Sequence, residues 1–301
     1  MTALFRRLGS ASAAVAAVGV GTLLKGIDNT SDFRLDTIEL PLLEPGVLRE
    51  KESFDILHIA DLHMLPSQGD KQQFVSELAA CSPDLVINTG DNLGDPQAVP
   101  YVLQALNPLL DVPGMFVFGT NDYFAPRPVN PFTYLVGKKR TPSRVELPWK
   151  GMRAAFIERG WHDATHKRVE VKVGDVRLAV AGVDDPHHDL DDYGLIAGAP
   201  NPDADLSIAL THSPEPRVLQ RFAADGYQLS ISGHTHGGQI CLPGGRSIVT
   251  NCGIDRERAH GLHRFEQMHM YVSPGLGTSK YAPVRLNCPP TATLLRITEH
   301  R

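Results

Sequence analysis

Seven side chains of metal-binding type stand in five short motifs along this chain. They are Asp61 and His63 in A-D-L-H, Asp91 in T-G-D-N, Asn121 in G-T-N-D, His212 in T-H-S, and His234 and His236 in G-H-T-H-G-G-Q. Each motif lies at or near the end of an apolar run. Imidazole combined with carboxylate suits Mn, Fe, Zn or Ni better than Ca or Mg. Asp61 and His63 are two residues apart, as are His234 and His236. On an extended chain that spacing turns both side chains to one face, and so to one ion. Asp91 brings two oxygens, enough to bridge two cations, and Asn121 a neutral carbonyl. The donor set predicts a two-metal hydrolytic centre with positions left for water and substrate.

The elements that must position these residues are legible as periodicities. Residues 33–40 alternate apolar and polar, a strand pattern, and residues 54–60 (F-D-I-L-H-I-A) read as a buried strand. Helical spacing over 70–81 precedes a buried strand at 84–88, then a helix at 96–110 and a strand at 114–118. That alternation predicts an α/β sheet with partly parallel strands. Five prolines between 125 and 150, with Lys138, Lys139, Arg140 and Arg144, mark a basic, Pro-rich insertion next to G-T-N-D. A helix near 151–159 leads to a hairpin at 168–173 and 176–183, and strands follow at 206–210, 228–232, 268–272 and 291–297. The hairpin makes the second half look more antiparallel.

The bulk composition is that of an ordinary globular protein, 42% hydrophobic and 21% charged, and a net charge of -5 gives no nucleic-acid footprint. Four widely spaced cysteines without C-x-x-C indicate neither a zinc knuckle nor a redox pair. The N-terminus is anomalous. Arg6 and Arg7 precede a run from Leu8 to Leu24 with no charge before Lys25, a pattern read either as a signal anchor or as an exposed helix. Residues 1–27 are therefore set apart from a domain at 33–301. If the run inserts, the positive-inside rule leaves the arginines in the cytoplasm and the domain outside. Membrane association is the expected location, and a cytoplasmic one follows otherwise.

The ordered set D-x-H, G-D-N, G-T-N-D, T-H and G-H-T-H-G-G-Q, from about residue 53 to 298, resembles the calcineurin-like metallophosphoesterases. The tail from Ser273 to Arg285, Cys288-Pro289-Pro290 and Gly182 to His187 are similar to a bacterial branch of membrane-associated phosphodiesterases. The resemblance implies a two-sheet β-sandwich flanked by helices, of mixed α/β class. It implies two divalent transition-metal ions, of Mn, Zn or Fe, with Asp61, His63 and His236 on one, Asn121, His212 and His234 on the other, and Asp91 between. It further implies hydrolysis of an anionic phosphate-containing substrate by a metal-activated hydroxide.

One motif departs from the family pattern G-N-H-[DE]. In strict register Thr120 replaces the asparagine ligand and Asn121 the histidine that assists the leaving group. A one-residue adjustment would return Asn121 to the ligand role with Asp122 in support, and Asn121, Asp122 and His187 are the candidate catalytic residues. Asparagine cannot protonate an alkoxide, and positioned proton transfer is worth ~10²–10⁴-fold. Either the leaving group is acidic, as in a pyrophosphate or an activated diester, or His187 or His188 donates the proton. Asn92 and Arg285 are expected to contact substrate. The expected activity is thus phosphodiester or pyrophosphate hydrolysis, with a lipid-headgroup or envelope substrate if the N-terminal run is an anchor. A phosphomonoesterase and a metal-poor interaction module remain as alternatives.

Overall fold

A computed structural model describes residues 21–128 and 143–300. The start of the apolar run, at 8–20, and most of the basic insertion, at 129–142, lie outside the described residues.

The strands form two six-stranded sheets. In the first sheet, β1 (Arg34–Leu43), β12 (Thr291–Glu299), β2 (Phe54–Ile59), β3 (Leu85–Asn88), β4 (Gly114–Phe116) and β5 (His162–Asp163) lie side by side in that order. In the second the order is β10 (Gly261–Phe265), β11 (Met268–Val272), β9 (Leu229–Ser232), β8 (Leu206–Leu210), β7 (Val176–Gly182) and β6 (Lys167–Val173). The sheets pack face to face. Leu40, Ile56, Ile87 and Val117 of the first share one buried core with Val180, Ile208, Ile231 and Tyr271 of the second.

The outer face of the first sheet is covered by α1 (Gly69–Glu77), α2 (Val99–Leu106) and α4 (Trp149–Glu158). Val75, Val102, Leu106 and Phe156 pack there on Leu57, Ile59 and Val86. Ile56 therefore faces one core and Leu57 the other, so β2 is buried on both faces. That is why it reads as an unbroken apolar run rather than an alternation. Each fully buried Leu, Ile or Phe is worth ~1.5–3 kcal/mol of transfer free energy. The architecture is the two-sheet sandwich flanked by helices that the resemblance implied.

The antiparallel second half is corrected. Only the outer pairs, β6–β7 and β10–β11, are antiparallel, while β7–β8, β8–β9 and β9–β11 are all parallel. A parallel neighbour needs a crossover, and α5 (Pro216–Asp225) supplies it between β8 and β9. Its signals were present in the sequence. Pro216 opens the first turn, Gly226 closes the helix at φ 91°, and Val218, Leu219 and Phe222 are its buried stripe.

Candidate metal centre

Every predicted ligand lies just past the C-terminal end of a parallel strand. Asp61 and His63 follow β2, Asp91 follows β3, Asn121 follows β4 at the short helix α3 (Thr120–Tyr123), His212 follows β8, and His234 and His236 follow β9. Strands from both sheets thus deliver their loops to one crevice, the usual place for a site in open parallel sheets. The loops are stitched together by backbone bonds, Asp61 N–H to Gly90 O at 2.9 Å, His63 N–H to Asp91 O at 2.9 Å and Gly233 N–H to His212 O at 2.9 Å.

The reason the side chains converge differs from the extended-chain geometry expected from D-x-H and H-T-H. Asp61, His63, Asp91, His234 and His236 all have left-handed φ, between 40° and 70°. Sharp kinks beyond the strand ends aim the side chains, not strand alternation. Non-glycine residues in that region cost of order 1–3 kcal/mol each and persist only where their surroundings hold them. Gly119 is needed for a different reason. A Cβ there would lie 2.3 Å from Asp91 Oδ1 and 2.7 Å from the His212 ring.

Two groups of three donors have their ligand atoms within 4.8 Å of one another, Asp61 with His63 and His236, and Asp61 with Asp91 and His212. All five residues are buried. His63 Nε2 and His236 Nε2 are 3.2 Å apart, and both His63 Nε2 and His212 Nε2 lie 3.4 Å from Asp91 Oδ2. The far nitrogens are committed elsewhere. His212 Nδ1 is 2.8 Å from Thr89 O and His236 Nδ1 is 2.9 Å from Gly277 O, so each Nδ1–H donates outward and each Nε2 lone pair faces the centre. Metal-ligating histidines are oriented in this way. His234 Nδ1 stands 3.3 Å from His212 Nε2. His234 Nε2 and His63 Nδ1 are buried without a hydrogen-bond partner among the described residues.

The electrostatics call for a cation. Burial pushes the Asp61 carboxyl up to about 7, and the charge of Asp91 adds to the rise while His212 opposes it. Burial works against the charged form of Asp91 too, but His212, His63 and Asn121 outweigh it and hold that carboxyl well below its usual value. Burial lowers His63 to about 4 and takes His234 and His236 well below the ordinary imidazole value, with neighbouring imidazoles adding to it. His212 goes the other way, because Asp91, Asp185 and Asp61 outweigh its burial and raise it well above normal. Neutral lone pairs and paired carboxylates sealed from water are unfavourable unless a positive ion satisfies them. The donor set therefore fits divalent metal ions.

The G-T-N-D motif is divided between two tasks. Asn121 turns to the centre, its N–H donating to Asp91 Oδ1 at 2.8 Å and its side-chain amide lying 2.6 Å from Asp91 Oδ2. Thr120 turns away and gives its N–H and hydroxyl to Asp185 Oδ2, at 3.1 and 2.5 Å.

Three expected roles are corrected. Asp122 is fully buried, and its carboxylate accepts the backbone N–H groups of Asp91 (2.8 Å), Asn92 (2.8 Å) and Gly119 (3.1 Å), so it braces the ligand loops instead of taking part in catalysis. Asn92 is buried, its amide locked to that of Asn88 at 2.8 and 3.1 Å, which keeps it from substrate. Arg285 is buried as well, with its guanidinium donating to the carbonyls of Pro274, Gly275 and Gly277 at 2.8, 3.0 and 2.6 Å. It ties down the loop that holds Gly277 for His236 and has no reach toward an anion.

His187 does come to the centre, its ring centroid 4.3 Å from that of His234. Its Nδ1 lies 3.3 Å from Glu215 Oε1, while Glu215 Oε2 accepts the Gly253 N–H at 3.1 Å. Glu215 went unread in the sequence, and Asp185 and Thr89 stood in motifs without a role of their own. Twenty-eight residues separate His187 from Glu215, and no local spacing announces their contact.

Buried carboxylates and imidazoles at the C-terminal ends of parallel strands from two sheets define a metallohydrolase-type centre. The family model of the calcineurin-like phosphoesterases matches residues 54–238. The chain belongs to that family and is a hydrolase acting on phosphoester bonds. It is similar to the metallophosphoesterase YkoQ of Bacillus subtilis, 24% identical over 93% of this chain and 96% of that one. It is also similar to the phosphodiesterase YaeI of Escherichia coli, 27% identical over 81% of this chain and 82% of that one. Among solved structures, the phosphopantetheinyl hydrolase of Mycobacterium tuberculosis aligns over 78% of this chain at 10% identity and a TM-score of 0.41, too loose a likeness to bear on substrate.

Proposed function

We propose that the chain hydrolyses a phosphodiester or pyrophosphate bond with two divalent transition ions, and that His187 protonates the leaving group. The observation that carries the reading is the buried convergence of Asp61, His63, Asp91, His212 and His236. In this reading Asp61, His63 and His236 hold one ion, Asn121, His212 and His234 the other, with Asp91 between them. Asn121 serves as ligand once its amide presents oxygen instead of nitrogen. When bound, the ions polarise a phosphoryl group and activate water as the nucleophile.

The protein's own residues do the rest. Thr89 and Gly277 carbonyls fix the His212 and His236 tautomers, so the lone pairs point inward. Asp122 keeps the 91–92 and 119 backbones in place. Glu215 engages His187 Nδ1, so a His187 that carries both ring protons would give up the one on Nε2. A similar chain named a phosphodiesterase supports a diester preference.

The test is hydrolysis of a chromogenic phosphomonoester and its bis-ester with Mn, Zn or Fe added in turn. Rates across leaving groups of rising pKa are then compared in the parent, His187→Ala and Glu215→Gln. A shallow dependence that steepens in both variants is expected. A dependence already steep in the parent, unchanged in His187→Ala, would remove the histidine from the reaction and leave an acidic leaving group as the explanation.

A further inference from the structure

Three segments around His236 carry large apolar side chains in water. Residues 21–28 are helical, and Leu23, Leu24 and Ile27 are 51, 62 and 44% exposed. Their i, i+3, i+4 spacing puts them on one side of that helix. Gly26 faces inward, where a Cβ would lie 2.7 Å from Val284, and its carbonyl accepts the Arg285 N–H at 2.7 Å. The 281–286 segment is thus held on one flank by this helix. On the other it pairs with the chain after the G-H-T-H motif, through the Ile240–Leu286 bridge, Leu286 N–H to Gln239 O at 3.0 Å and Gln239 Nε2 to Ala282 O at 2.7 Å. Ile240 and Leu242 are exposed at 39 and 49% while Cys241 between them is buried, so the two point outward together. Tyr281, 39% exposed, completes the set, with Lys280 Nζ 5.6 Å from its ring centre.

Six exposed apolar or aromatic side chains from adjoining segments form more of a patch than scattered surface leucines do. We infer that this surface, Leu23, Leu24, Ile27, Ile240, Leu242 and Tyr281, docks on a phospholipid bilayer and seats the edge of the metal centre at the headgroups. A bilayer is favoured as occupant by continuity. The uncharged stretch from Leu8 to Leu24 ends inside the patch, and Lys25 follows it directly. Apolar side chains with Tyr and Lys at their border match the chemistry of a membrane interface. Among the described residues no helix is long and apolar enough to cross a membrane. Phosphates at the bilayer face would then come within reach of the loops carrying His234 and His236.

The test uses the full chain with Leu242→Trp and vesicles of brominated phosphatidylcholine mixed with phosphatidylglycerol. The added tryptophan emission should be quenched severalfold more than the emission of Trp149 and Trp161 in the parent. The double variant Ile240→Glu with Leu242→Glu should bind the same vesicles roughly tenfold more weakly. Absence of extra quenching overturns the docking surface. So does a blue shift of the new tryptophan that rises with protein concentration in the absence of lipid, which would mean a second copy covers the patch. Hydrolysis of a soluble bis-ester is measured on the same preparations. Turnover without quenching sinks the docking alone, and quenching without turnover sinks only the phosphoesterase reading.

Discussion

Asp122 offers a direct test of how the centre is held, because its carboxylate has no visible task except to receive three backbone N–H groups. Those donors belong to Asp91, Asn92 and Gly119, at 2.8, 2.8 and 3.1 Å, and the carboxylate is fully buried. Asp122→Ala strands all three. A buried donor left unpaired costs ~1–3 kcal/mol, so the expected loss is about 3–9 kcal/mol. Domain stabilities run to ~5–15 kcal/mol, which makes this a large fraction of the whole. Two further effects act in the same direction. Asp91 would lose a support of its left-handed backbone, and Gly119 would be freer to leave the Asp91 and His212 side chains it nearly touches. Burial and the charge of Asp91 push the Asp122 carboxyl up to about 7, yet the three N–H groups make the anion the form that matches its surroundings. Asp122→Asn keeps the shape and one acceptor oxygen and should lose about 1–3 kcal/mol. Urea unfolding followed by circular dichroism, with metal content measured on the same samples, reads both. The bracing role is refuted if Asp122→Ala unfolds within about 1 kcal/mol of the parent and keeps its metal. It is equally refuted if Asp122→Asn has parental stability but loses most of its turnover, since that would make Asp122 a participant in the chemistry.

His58 is buried, with Nε2 2.9 Å from Thr89 Oγ1, and burial lowers its pKa to about 3. The unfolded chain takes up this proton near 6.5 and the folded chain does not. Stability is therefore complete above 6.5 and should fall by about 1.4 kcal/mol per pH unit below it, to a total of about 5 kcal/mol by pH 3. His58→Gln should flatten that part of the profile, and parallel slopes in urea titrations of the two chains would count against it. Chelation should lower the melting temperature of the parent, and Mn or Zn should restore it, because the ions relieve the buried lone pairs and carboxylates. His236→Ala should bind fewer ions and show a smaller chelation shift; full metal content in that variant would remove His236 from the ligand set. Gly119→Ala should lose metal and turnover together, since its Cβ occupies space now held by Asp91 and His212, and a metal-replete, active variant would show that the loop has room to shift.

Much of the sandwich was legible because its strands are short apolar runs with turn residues at their ends. Strands read at 206–210 and 268–272 match β8 and β11 residue for residue. The pairing was not legible. Overlooking α5 made the second sheet look more antiparallel than it is, since the direction of β9 relative to β8 depends on whether a helix lies between them. The short strands β5 and β10 carry weak patterns and belong to their sheets only through pairing with β4 and β11. The errors at Asn92, Asp122 and Arg285 share one cause. A polar residue inside a motif looks functional, and the motif does not say whether its side chain meets substrate or backbone.

The sequence by itself determined the kind of chemistry, because the types of Asp61, His63, Asp91, His212, His234 and His236 point to a hydrolytic metal centre and their order resembles that of the calcineurin-like phosphoesterases. Only the tertiary structure decided how the remaining polar groups are used. Asn121 faces Asp91 while Thr120 faces Asp185, Glu215 stands behind His187, and Arg285 holds a loop. Ligand identity survives in one dimension, since an imidazole or carboxylate is what it is wherever the chain puts it. Orientation depends on φ beyond each strand end and on partners as far as 173 residues away, and these are set when two sheets close on a common core.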